Sequence, residues 1–216
     1  MTAHPDKKRR LTAWQPFRII HENSRAYLVT NASVYGLFLL GFGVGLVVPQ
    51  LSDAQQARLE DDGTASTVAS LITSPWLFAL AILGVNVVKM GVLTIVLPSM
   101  IVPFAGVALF AYWVVQTGVT LVPASDIGWV ALIPHSLTLV IEFQAYILFI
   151  LGVYLLGRCW IWPRTVGADN RRGGYITGLR QLGWLSLPAV VLLVIGAVYE
   201  AFSLRYFVHP LAQWML

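Results

Sequence analysis

Apolar residues run almost unbroken through five stretches of this chain, at residues 31–48, 75–97, 100–122, 128–157 and 182–207, with polar residues gathered between them. A helix that crosses a bilayer needs about 20 mostly apolar residues, each adding about 1.5 Å of rise. The pattern therefore predicts an all-α fold, a polytopic membrane helix bundle of five transmembrane helices filling residues 31–210. Residues 128–162 form the longest run and hold Pro134, His135 and Glu142. Pro134 is the expected bending point, since proline removes a helix N–H. Trp129 at one end and Trp160 and Trp162 at the other suit the headgroup level, which indole prefers.

The other stretches carry their own punctuation. The first ends at Pro49 and includes Gly41 and Gly45, a small-xxx-small pattern that lets helix backbones approach closely. Packing within the chain is the expected use of that pair, with a homo-oligomer seam as the other. The second opens with Pro75 and Trp76 and encloses Asn86 and Lys89, three apart and so on one face of an α-helix. The third follows after a charge-free segment containing Pro98 and Pro103, which reads as a tight turn near Pro98; Pro103 could instead kink the third helix. Residues 50–74 are polar, with Asp53, Glu60, Asp61 and Asp62 against Arg58, and suggest a short surface helix followed by a loop.

Composition changes the picture only by closing alternatives. Charged residues are 11% and apolar residues 57% of the chain, with a mean hydropathy of +0.74. A soluble domain could not cover that apolar surface. The net charge of +4 does not indicate a nucleic-acid partner, because the basic residues cluster at helix ends rather than over a face. Residues 1–30 read as a cytoplasmic basic tail with Lys7, Lys8, Arg9 and Arg10. Its later part forms either an amphipathic interfacial helix or a solvated lead into the first span. Counted by loop, eleven Lys and Arg fall on the side of residues 1–30 and 158–181, and two, Arg58 and Arg205, on the other. The positive-inside rule then puts the N-terminus in the cytoplasm and the C-terminus outside.

Lys89, His135, Glu142 and Glu200 are the candidate chemistry. An acid or lysine at a bilayer centre costs about 2.5–3.5 kcal/mol by insertion scales, so these groups call for partners or water. His135 and Glu142, seven residues apart, share a face, and Lys89 could pair with Glu142. Glu142 and Glu200 are expected at different depths. With Asn86, the set reads as an intramembrane polar network that fixes helix register, a ligand cavity, or a proton relay through His135 and Glu142. Motifs for hydrolases, metalloenzymes and nucleotide binding are absent, and the single cysteine, Cys159, allows neither an intramolecular disulfide nor a paired-cysteine metal site. The expectation is a protein that is not an enzyme and has no cofactor or metal.

The segment IPHSLTLVIEFQAYILFILGVYLLGR resembles the stage II sporulation protein M family in its Pro134–His135 pair and in Glu142, Ala145, Gly152 and Gly157. Glu200–Ala201–Phe202 in the last span, Asn86 and Gly106 are similar to further positions of that family. The resemblance implies a multi-pass protein of the bacterial cytoplasmic membrane. It implies a scaffold or assembly subunit for cell-wall-associated proteins or, alternatively, a permease-type subunit served by an ATPase partner. Gly41, Gly45, Gly106, Gly152 and Gly157 are the expected helix-packing positions.

Overall fold

The computed structural model describes residues 14–61 and 63–216; the basic residues 7–10 and Asp62 lie outside them. The regular structure of the described residues is helical, without a strand. In chain order, α1 is Gln15–Glu22, α2 Ser24–Val47, α3 Pro49–Asp61 and α4 Thr64–Leu71. Next come α5, Pro75–Ile101, and α6, Ala105–Thr120. The last three are α7, Asp126–Ile161, α8, Arg171–Tyr206, and α9, Val208–Met215. Four helices, α2, α5, α7 and α8, are long and apolar enough to cross a membrane. Their outward residues are apolar too: Leu39, Leu80, Ile101 and Val191 are all exposed. Apolar surface of that extent on helices of that length suggests a multi-pass membrane protein.

Five crossing-length helices were expected, and α6 departs from that with 16 residues, about 24 Å of rise. The reason lies in the preceding turn. Pro98 sits in the first turn of the segment Leu97–Ile101, where a missing N–H is tolerated, so α5 continues past it. The reversal falls instead at Val102–Phe104, which places Pro103 in the turn and not within α6. Val102 is extended (φ −125°), as residues before proline tend to be, and Phe104 takes a left-handed φ of 66°. Two contacts hold this turn. Ser99 Oγ accepts the Gly106 N–H at 2.9 Å, and the Phe104 ring lies over Gly157, where a Cβ would come within 2.7 Å of it.

Other boundaries move outward for local reasons. The first long helix starts at Ser24, not at residue 31, because Asn31 and Tyr27 find partners inside the bundle. Ser125 and Asn170 cap α7 and α8, their side chains accepting the N–H of Gly128 (3.2 Å) and Gly173 (2.8 Å). Helix α8 consequently absorbs Arg171, Arg172 and Arg180, which the sequence reading assigned to a loop. Residues 50–74 form two helices, broken at Gly63 with φ 78°.

Helix α7 is the central column. From Phe143 to Val153 nearly every residue is buried, as is two thirds of its most apolar window. It runs antiparallel to α8, with Gly152 against Leu182, Gly178 against Leu156 and Gly174 against the Cys159 carbonyl. Helices α2 and α6 are parallel neighbours: Gly41 lies on the Val115 backbone, and Gly45 on Val119 and Val122. A Cβ at Gly41 would collide with the Val115 carbonyl, whereas one at Gly36 would meet nothing within 4 Å. Gly41→Ala is expected to lower stability by about 1–3 kcal/mol through overpacking. Gly36→Ala should leave it unchanged or slightly higher; thermal unfolding in detergent compares the two.

The helix ends gather into two sets. At one, Arg158 reaches Asn23 Oδ1 (3.4 Å) and Tyr175 reaches the Met100 carbonyl (3.3 Å). At the other, Ser52 and Gln56 donate to the Val122 carbonyl, and Arg205 donates to the carbonyls of Ile72 and Thr73.

Candidate functional site

Residues four apart on α7 stack along one face, and Thr138, Glu142 and Tyr146 form such a row, all buried. Helix α8 meets this row with Gly196, where a Cβ would lie 3.3 Å from Glu142 Cγ; the glycine leaves room for the carboxyl-bearing chain. The third wall is α5, whose turns widen to i→i+5 spacing over Val85–Val96. From that segment Asn86 donates its amide to Glu142 Oε1. One turn along α8 from Gly196, Glu200 Oε1 lies 3.4 Å from His135 Nδ1. Each carboxyl therefore has a partner on another helix, Glu142 joining α7 to α5 and Glu200 joining α8 to α7.

Four of the five residues expected in the network, Asn86, His135, Glu142 and Glu200, come together here. Lys89 does not. Its side chain is exposed on the outer side of α5 while Asn86 is buried, and the pairing with Glu142 is replaced by Asn86. The expectation assumed α-helical spacing; the wider π turn rotates residues three apart off a common face. Glu142 and Glu200 do differ in depth, but by about one turn, since Glu142 lies against Gly196 and Glu200 follows four residues later on α8.

Tyr146 and Thr138 belong to the site and were not singled out from the sequence. Both hydroxyls are fully buried and have no hydrogen-bond partner among the described residues. The i, i+4 spacing around Glu142 was the available signal. A second network was missed as well: Gln144 accepts from Tyr27 (2.8 Å) and donates to Asn31 (2.9 Å) and Tyr35 (3.1 Å). It ties α7 to α2. A glutamine in the middle of an apolar run marks such a contact.

A cavity of about 390 Å³ opens beside Gln56 and the 120–125 turn and ends on His135 and Glu200. Beyond the acids the way is filled by aromatic rings, with Tyr146 against Phe110 and Trp113 at 5.4 and 5.6 Å between centroids. A larger groove of about 640 Å³, between α2, α6 and α7 at the Arg158 end, does not reach the acids. Among the described residues, no three His, Cys, Asp or Glu side chains are placed to hold a metal ion together. The five expected packing glycines all lie at helix contacts: Gly41 and Gly45 on α6, Gly106 on α5, Gly152 on α8 and Gly157 on the Phe104 turn. What the acid site can do is join three helices and hold protons or a cation at a point reached from one end. Comparison with protein-family models, curated proteins and solved structures finds no match to this chain.

Proposed function

We propose that the protein is a non-enzymatic integral membrane scaffold or assembly subunit of the bacterial cytoplasmic membrane, crossing it five times with α6 as the short member. The single observation that carries this reading is that both carboxyls of the site, Glu142 buried and Glu200 part-buried, find their partners on neighbouring helices, so the polar groups join helices to one another. Orientation follows from the arginines. Arg18, Arg25, Arg158, Arg164, Arg171 and Arg172, with Arg180 in the third turn of α8, gather towards the Arg158 side, and that excess of positive charge supports a cytoplasmic placement for it. The resemblance to the stage II sporulation protein M family adds cell-wall-associated proteins as the partner class.

A second reading, a permease-type subunit, is favoured by the cavity that ends on His135 and Glu200. Mild-detergent purification from native membranes, with mass spectrometry of what accompanies the chain, separates the two. The scaffold reading expects wall hydrolases or their membrane anchors, and expects Glu142→Gln and Glu200→Gln to reduce their recovery severalfold with solute flux unchanged. Recovery of a nucleotide-binding subunit, with flux lost in both variants at normal expression, overturns it in favour of the permease.

A further inference from the structure

Lys89 stands fourteen residues from Pro75 and twelve from Ile101, near the midpoint of a 27-residue helix, and its side chain faces outward. Around it the exposed surface of α5 is apolar: Val85, Val88 and Leu93 are each more than half exposed. Among the described residues, no carboxylate lies within ion-pair distance of it. Lysines near helix ends reach the headgroups by snorkelling. From the midpoint the edge of the hydrocarbon core is about 15 Å away, too far for a four-carbon stem. Ionisable residues inside membranes face protein or water and have partners. The lone ammonium on this face is the exception that calls for one.

We propose that the outer face of α5 around Lys89 is an interface for a transmembrane helix of a different protein, one that carries an Asp or Glu at mid-membrane depth. A second copy of this chain does not supply that acid. Its carboxyls nearest that depth, Glu142 and Glu200, lie between helices and not on the outer face of α5: Glu142 is buried and joined to Asn86, and Glu200 is joined to His135. Two α5 faces brought together would set lysine against lysine. Exposed Val85, Val88 and Leu93 give the apolar contact on either side of the charge, and the ion pair fixes depth and register. The inference rests on the assembly reading and names where on the chain a membrane partner sits.

The test places a photo-crosslinking residue at Val88 and, as control, at Leu39 on the exposed side of α2, in native membranes. The expected result is a heterologous membrane protein crosslinked from Val88 and not from Leu39. Its spanning segment carries an acid, and its recovery falls at least tenfold in Lys89→Leu but not in Lys89→Arg. Exchanging the two charges, Lys89→Glu here and the acid to lysine in the partner, should restore recovery. Crosslinks to lipid alone, to a second copy, or to a protein whose recovery ignores Lys89→Leu would overturn the proposal. If partners still accompany the wild-type chain in that case, the assembly reading stands and only the α5 interface falls.

Discussion

Asn86→Leu is expected to destabilise the purified chain by about 1–3 kcal/mol, the cost of leaving a buried acceptor without its donor. A Glu142 carboxylate held charged would raise that to about 3–5 kcal/mol. Glu142 has Asn86 as its one hydrogen-bond partner among the described residues, and the π-wound turn of α5 is what aims that amide. Removing the acid as well should recover most of the loss, since Asn86→Leu with Glu142→Leu leaves no polar atom stranded at that contact. The coupling energy from the double-mutant cycle should reach about 1–3 kcal/mol. Lys89→Leu, on the outer side of the same helix, should leave the isolated chain at least as stable as before. Thermal or denaturant unfolding in one detergent measures all four variants, and additive effects at Asn86 and Glu142 would refute the pairing.

Gly106→Val is expected to cost more than about 3 kcal/mol and to reduce folded yield, the upper end of what overpacking does. A Cβ at Gly106 would run into the Ile95 carbonyl and lie 2.6 Å from Ser99 Oγ, the oxygen that accepts the Gly106 N–H. The α2–α6 seam at Gly41 can open by sliding the two parallel helices past each other. Residue 106 cannot retreat in that way, because only Val102–Phe104 separates α6 from α5 and Phe104 is pinned on Gly157. Gly106→Ala should show a smaller loss in the same direction. Size-exclusion profiles and thermal unfolding of both variants check the order.

The long apolar runs were legible because burying or exposing 20 residues to lipid is a composition-level demand that a window of sequence carries by itself. Residues 128–162 stood out for a related reason: theirs is the longest apolar run, and it holds Pro134, His135 and Glu142. What could not be read was the partner of each polar group. Asn86 and Lys89 look equivalent at α-helical spacing, and only the change to wider turns sends one inward and the other outward. Glu142 and Glu200 lie 58 positions apart, and their nearness depends on the register between α7 and α8, set by contacts such as Gly152 on Leu182. The start of α2 was misplaced because Tyr27 and Asn31 read as polar flanks until Gln144, more than 110 residues later, supplies their hydrogen bonds.

The enclosure of α7 bears on the order in which the chain can assemble during synthesis. A growing chain folds its earlier segments first. When α7 leaves the ribosome, Asn86 is already in place, so the Glu142 carboxyl can accept its amide hydrogen bond on arrival. His135 must wait for Glu200, 65 residues further on, and the α8 side of the column stays open until then. Helix α8 therefore closes the bundle around α7, and the His135–Glu200 contact is the latch that forms only once α8 has joined the helices made before it.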